Sequence, residues 1–477
     1  MKKSVRFLLI LLLSCLLVGL LWLGWRWYDS HVDRSGWKTV NGTTIYADFY
    51  GDPVTGWQTI DGKRYYFAPD HSLHTGWLTT DAGTFYLNGD GTLHTDWLDT
   101  SDGRYYFGPD GLLCRFWQTV DGTRYYFDGE GLLQSGWIQW NGSRYYLLSS
   151  GTPGSGWQQT PEGTCYLRED GRPITGWHTL ENDLYCFDPE GFLCAGWQEW
   201  EGERYYLSET GQAHSGWLTV DGSRYYFDDH HAMVTGWQTI NGSRYFFEDS
   251  GIMHTGWLRQ GEYRYYLLPH GSAATGKLEL DGQTHYFTPQ GIWVLLVNPW
   301  HPLPDDYPLE LVELADGFQV DAQCADALSS MMDAMEEAGL LPMFSSAYRT
   351  KAHQSGIWQS YVNQYMASGY SAAQANAMTA RYVAVPGTSE HHTGLAVDIV
   401  GYDYFYSGHY GSTMAVQAWL AEHCWEYGFI LRYTEEKQSI TGFAPETWHF
   451  RYVGTLVSLD MKDSGLCLEE YLGATQK

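Results

Sequence analysis

The sequence predicts a three-part chain: a membrane-spanning helix, an all-β solenoid of 20-residue hairpins, and an α+β domain with a small, mostly antiparallel sheet. Three observations predict it. Lys2, Lys3 and Arg6 precede an apolar run from Phe7 to Trp25, tryptophan recurs every 20 residues from Trp37 to Trp257, and past residue 290 that period gives way to helical spacing mixed with short apolar runs. At 477 residues the chain is too long for a single core.

The run Phe7–Trp25 is long enough to cross a hydrocarbon core as a helix. Its basic flank places the N-terminus inside and the rest outside. A cleaved signal would have a shorter apolar region and a small-residue site, whereas "WLGWRWYD" closes this one. The expected order is a cytoplasmic tail (1–6), a single-pass anchor in the cell membrane (7–25), a linker (26–35) and extracellular domains. Lys+Arg 28 against Asp+Glu 56 gives a formal charge of -28, which repels polyphosphates and excludes nucleic acid as a partner. Eight cysteines without a CxxC pair argue against a zinc knuckle or a disulfide scaffold. Cys324, Leu328, Met331 and Met335 follow helical spacing, as do Val416, Leu420 and Cys424, so both cysteines are expected in cores.

Within one unit, "GWQTIDGKRYYFAPDHSLHT", a strand around Trp57–Ile60 meets Asp61-Gly62 and a second strand runs through Tyr65, Tyr66 and Phe67. This is a hairpin with a type I′ turn signature, repeated at Asn41-Gly42, Asp121-Gly122, Asn141-Gly142, Asp221-Gly222, Asn241-Gly242 and Asp281-Gly282. A lone hairpin is marginal in water, so units over 36–290 should bury their aromatics against neighbours, each touching only the next. Aromatics left at the seams form shallow cages for a quaternary ammonium or a sugar face. Candidate ligand-binding residues are Trp57, Tyr65, Tyr66, Trp137, Tyr145, Tyr146, Trp217, Tyr225, Trp237 and Tyr245. His74, His94, His214 and His254 share one register and are expected at surface turns. The pattern "GWQTINGSRYFFEDSGIMHTGW" resembles the cell-wall-binding repeats of choline-binding and glucan-binding surface proteins of Gram-positive bacteria and of clostridial toxins. In the choline-binding branch the second strand typically begins Trp-Tyr-Tyr. Arginine stands there at Arg64, Arg104, Arg124, Arg144, Arg204, Arg224 and Arg244, which moves the expected partner toward a wall carbohydrate, with a choline-bearing polymer as the alternative.

Residues 291–460 have room for one compact domain, followed by a tail (461–477). Helices are expected at 320–339, 352–380 and 412–427, the last capped by Ser412, and strands at "LAVDIV", "GFILRY" and "WHFRYVG". In "SEHHTGLAVD", His391 lies on a loop and Asp398 on the strand it enters, so the two can converge. A hydrolytic zinc centre needs three protein ligands and an open position. "ETWHFRY" supplies His449 as the third and, across a bend, Glu446 to take a proton from the attacking water. His392, His409 and His423 are alternative ligands; His392 should point away from what its neighbour binds, and His423 reads as structural.

"SSAYRT", "PGTSEHHTGLAVDI", "GFILRY", "TGF" and "PETWHFRYVG", in this order over roughly 294–454, resemble VanY-type D-alanyl-D-alanine carboxypeptidases. The resemblance implies an α+β zinc peptidase with Zn(2+) held by His391, Asp398 and His449, and Glu446 as general base. It further implies Arg349 as the oxyanion or carboxylate cation, with Gln354 and Ser389 on the substrate side. The implied partner is the peptidoglycan stem peptide. An endopeptidase, a D-Ala-D-Ala dipeptidase and a surface adhesin are the alternatives.

Overall fold

The computed structural model describes residues 2–314, 317–406 and 411–475. The chain divides into two compact units, Met1–Gln198 with Tyr206–Ala213, and Glu199–Tyr205 with His214–Lys477.

The first unit opens with helix α1 (Lys2–His31), long and apolar enough between Val5 and Tyr28 to cross a membrane. Hairpins follow. Gly56–Ile60 pairs with Lys63–Phe67, placing Trp57 opposite Tyr66 around Asp61-Gly62. Asp61 (φ 50) and Gly62 (φ 78) both adopt the left-handed conformation that a type I′ turn requires. The dry column of the repeats is the end of the second strand: Phe67, Leu87, Phe107 and Phe127 are fully buried, while the tryptophans stay partly exposed. Successive hairpins join by backbone bonds such as Leu93 N to Arg64 O (2.8 Å) and Leu113 N to Thr84 O (2.9 Å). Contacts also skip a unit, contrary to the expectation of neighbours only: Arg144 Nη1 donates to Glu190 O (3.2 Å), 46 residues on, because the guanidinium outreaches one hairpin. The histidine register is structural. Nε2 of His74, His94, His214 and His254 meets the carbonyl of the tryptophan three residues ahead at 3.0–3.1 Å, holding the turn.

The second unit contains the later hairpins and the α+β domain. In chain order the main elements of that domain are α2 (Ala322–Glu337), β1 (Pro342–Ser346), α3 (Lys351–Ala367), α4 (Ala372–Thr379), β2 (Ala396–Gly401), α5 (Gly411–His423), β3 (Phe429–Tyr433), β4 (Glu446–Tyr452), α6 (Thr455–Ser464) and α7 (Leu468–Tyr471). The sheet runs β1-β2-β4-β3, antiparallel throughout. Strand periodicity then decides which residues face the core. Val397, Ile399, Phe429 and Phe450 join Leu328, Met331, Met335 and Leu420 in one core, with Cys324 and Cys424 among them, and the alternate residues Asp398, His449 and Arg451 take the other face.

Three boundaries differ from expectation. The predicted helix 352–380 is two helices, broken where Gly369 (φ 92) ends α3 and Ser371 starts α4 with a capping box to Gln374. The helix predicted at 412–427 shortens to α5 and continues as a 3₁₀ turn, Cys424–Tyr427. Ser412 lies inside it, and its cap is Asp403, which accepts from Ser412 N (2.5 Å) and Thr413 N (2.8 Å). The expected tail is folded over its described part: Leu468 and Leu472 are buried with Tyr265, Leu267 and Tyr286 of the last hairpins and Val294 of the connecting segment. These apolar positions carry too few turns to show a period in sequence.

Candidate functional site

Asp398 lies at the middle of β2, and β4 pairs His449 directly opposite it. His391 arrives on the 3₁₀ turn Glu390–Thr393, which ends at Gly394 (φ 71). A Cβ at Gly394 would stand 2.7 Å from Asp321 N, so only glycine lets this turn pass α2 and feed β2. One atom each of His391, Asp398 and His449 lies within 4.8 Å of the others, and all three residues are buried. Glu446 and His449 sit on one strand rather than across a bend. A bulge does the turning: Leu431 pairs with Phe450 but Tyr433 with Glu446, and this brings Glu446 Oε2 to 3.7 Å from His449 Nδ1.

The two rings are oriented by what their outer nitrogens touch. His391 Nδ1 donates to the Ala347 carbonyl (2.7 Å), so Nε2 presents a lone pair; it is buried 3.3 Å from Asp398 Oδ1, without a hydrogen bond. A buried lone pair facing a carboxylate is unfavourable unless a cation stands between them. His449 Nε2 donates to Glu390 Oε2 (3.2 Å), leaving Nδ1 facing Asp398 Oδ1 (3.0 Å). Two imidazoles and a carboxylate, each backed by an outer partner, fit a zinc ion. This is the donor set of a mononuclear metallohydrolase.

Burial opposes charge on Asp398, but His391 and His449 hold its carboxyl well below the usual range. Burial pushes His391 down to about 4. On His449 burial is outweighed by the hydrogen bonds to Asp398 and Glu390, which push it up to about 9. Burial pushes Glu446 up to about 7, near neutrality, where a group can both accept and return a proton. A cavity of about 400 Å³ opens over these residues, rimmed by the exposed aromatics Tyr382, Tyr404 and Phe405.

Arg349 reaches Asp398 Oδ2 (3.2 Å) and Gln354 Oε1 (3.0 Å), and its Nε is buried without a hydrogen-bond partner. Gln354 lines the cavity, but its amide is engaged at both ends, by Arg349 and the Ala384 carbonyl (2.9 Å). Ser389 also lines the cavity. His392 points away, with Nδ1 donating to Arg349 O (2.7 Å) and Nε2 accepting from Gly387 N (3.1 Å). His423 pairs with Glu426, and His409 lies outside the described residues. Sequence reasoning missed Glu390, Arg432 and Arg451, a buried cluster behind His449. Its signal was present: a lone arginine inside the apolar strands "GFILRY" and "HFRYVG" requires a buried partner.

On the repeats, a guanidinium lies 4.0–4.6 Å from the ring centre of Trp57, Trp97, Trp117, Trp137, Trp217 and Trp237, in each case the arginine seven residues on. The expected ligand-binding tryptophans are therefore covered on one face by their own chain. Where threonine takes that register, at Thr44, Thr84 and Thr164, the rings of Trp37, Trp77 and Trp157 are 42%, 41% and 39% exposed. Two tyrosines flank each of these rings, Tyr46 and Tyr65, Tyr86 and Tyr105, and Tyr166 and Tyr185, at 4.9–5.4 Å.

Comparison with known proteins agrees with both parts. Residues 317–455 match the family VanY, D-alanyl-D-alanine carboxypeptidase. Residues 54–95 and 234–270 match the choline-binding repeat, and 117–133, 135–152 and 215–229 match a cell wall binding repeat. A D-alanyl-D-alanine carboxypeptidase of Enterococcus faecalis is 42% identical over 179 residues, 38% of this chain and 65% of that protein, so the chain spans just under two thirds of its length. The bifunctional D-Ala-D-Ala dipeptidase and D-Ala-D-Ala carboxypeptidase VanXYC of Enterococcus gallinarum is 33% identical over 184 residues, 37% of this chain and 91% of that protein. The structure of VanYB in complex with D-alanine-D-alanine aligns at 41% identity over 38% of this chain and 98% of that one, with a TM-score of 0.36. The chain belongs to the VanY D-alanyl-D-alanine carboxypeptidase family, with choline-binding-type repeats preceding the family domain.

Proposed function

We propose that the chain is a membrane-anchored, extracellular zinc D-alanyl-D-alanine carboxypeptidase that trims peptidoglycan stem peptides and is held at the wall by its repeats. The observation that carries this reading is the buried convergence of His391, Asp398 and His449 beside Glu446. Zinc held by those three residues supplies Lewis-acid chemistry, polarising the scissile carbonyl and making water a nucleophile at neutral pH. Glu446 accepts the proton of the attacking water and returns it to the leaving amine. Arg349, cationic and with an unpartnered Nε, receives the terminal carboxylate or the developing oxyanion. Gln354 holds that guanidinium in place, a positioning role.

On the repeats, the uncovered rings of Trp37, Trp77 and Trp157 are the seats for a wall polymer. Weak seats on one chain add through effective concentration. Helix α1 supports membrane anchoring by its length and apolar surface.

The test is incubation of the full chain, zinc-loaded and then chelated, with a pentapeptide ending in D-alanyl-D-alanine, reading products by mass. Loss of one alanine that stops on chelation supports the carboxypeptidase. Because one relative is bifunctional, cleavage of free D-alanyl-D-alanine is measured alongside; exclusive activity there replaces the main reading with a dipeptidase.

A further inference from the structure

Behind His449 lies a buried ion cluster whose outer members fall beyond the segment that matches the family. Glu390 Oε1 accepts from Arg432 Nε (2.9 Å) and Arg451 Nη1 (3.1 Å), while its Oε2 holds His449 Nε2. Arg432 turns its other two nitrogens to Glu469 on α7, at 2.9 and 2.5 Å. Asn298, in the segment joining the last hairpin to the domain, donates to Glu469 (3.0 Å), and the Leu295 carbonyl in the same segment accepts from Arg451 Nη2 (2.7 Å). The family match covers 317–455, so Asn298, Leu295 and Glu469 all lie outside it. Glu390, Arg432, Arg451 and Glu469 are each 0–2% exposed.

We infer that Glu469 is a positioning residue for the metal site: through Arg432 and Glu390 it fixes the His449 ring with Nδ1 turned to Asp398. Two guanidiniums and two carboxylates balance where all four side chains are buried. Without the Glu469 charge, one positive charge is left over behind His449, and both arginines bear on Glu390 alone. Glu390 then accepts less strongly from His449 and the ring loses both basicity and orientation, the two properties an outer partner gives a ligating histidine. The anchoring extends to the repeats, since α7 and the 294–298 segment pack with Tyr265, Leu267 and Tyr286. The last two hairpins therefore belong to the peptidase as structure.

This inference rests on the reading of His391, Asp398 and His449 as a zinc site, and the test separates the two. In the full chain, Glu469→Gln removes the charge at constant shape, Glu469→Asp keeps the charge, and Glu470→Gln, which removes the more exposed Lys437 partner, is the control. Zinc affinity is read by chelator competition, cobalt absorption reports ligand geometry, and kcat and KM are taken separately. The expected result is a roughly tenfold loss of zinc affinity in Glu469→Gln, an altered cobalt spectrum and a fall in kcat with little change in KM. Glu469→Asp should recover part of the loss, and Glu470→Gln should match the parent. Unchanged zinc affinity and cobalt spectrum in a folded Glu469→Gln overturn the inference. If that variant does not fold, Arg432→Lys, which keeps the positive charge but cannot bond Glu390 and Glu469 with three nitrogens, takes its place, and unchanged zinc affinity and cobalt spectrum in a folded Arg432→Lys overturn the inference. Absence of zinc binding by the unmodified chain defeats the metal-site reading itself.

Discussion

At the scale of single residues, the chemistry depends on four side chains brought to one face of a sheet, and each has a distinct failure. Replacing Glu446 with glutamine keeps the shape and the zinc ligands but removes the proton acceptor. We expect zinc content to stay at the parental level, measured by elemental analysis, while kcat falls by about 10²–10⁴; full turnover would remove Glu446 from the base role. His449 makes a second prediction. Without metal its ring is pushed up to about 9, so at pH 7 it carries a proton that must leave before Nδ1 can bind zinc. Zinc binding should therefore release about one proton at pH 7, and affinity should rise with pH up to about 9, by at most about tenfold per unit. Calorimetry in two buffers of different ionisation enthalpy measures that number, and a value of zero would contradict the assigned ring state. The ligand trio was legible in sequence because motif spacing set it on a loop and two strands. Glu390 was not, because its partners Arg432, His449 and Arg451 lie 42, 59 and 61 residues away along the chain.

At the scale of elements, the hairpins were readable almost residue by residue, since a period of 20, a two-residue turn and alternating aromatics leave one register. Less readable was which tryptophan faces stay open, because the covering arginine approaches through a side chain whose path only the folded unit defines. Arg144 illustrates this: its guanidinium lies 4.0 Å from the Trp137 ring centre and also ties down Glu190 O. Arg144→Thr should cost about 0.5–1 kcal/mol, read from a thermal or denaturant midpoint, and make Trp137 more accessible to a collisional fluorescence quencher. No change in quenching would show that the arginine does not cover the ring in solution. In the α+β domain, strand identities were legible from their apolar runs. The break between α3 and α4 was not, because residues on both sides favour helix and Gly369 alone marks the stop.

At the scale of the whole molecule, the repeats and the peptidase are not separable where sequence periodicity ends. Tyr263 Oη accepts from Leu456 N (3.1 Å), Glu262 hydrogen-bonds Tyr452, and Gln290 Nε2 donates to Asp460 (3.1 Å). Deleting residues 36–195 should leave cleavage of a soluble pentapeptide within about twofold and weaken sedimentation with purified walls, since Trp37, Trp77 and Trp157 are removed. A chain beginning at residue 291 should instead lose stability and, with it, activity, because Tyr265, Leu267 and Tyr286 leave one apolar core incomplete. Equal activity and melting temperature in both truncations would show that the last hairpins contribute nothing to the peptidase.

By itself the sequence determined the order of parts, the hairpin period and its turn type, the strands of the small sheet and the residue types of the metal site. Each of these is a local pattern, written by spacing along the chain. Only the tertiary structure decided which aromatic faces stay open, how a bulge swings Glu446 beside His449, and that Glu469 and the last two hairpins complete the domain. Those depend on contacts between residues tens to hundreds of positions apart, where burial and charge balance, rather than periodicity, select the partner.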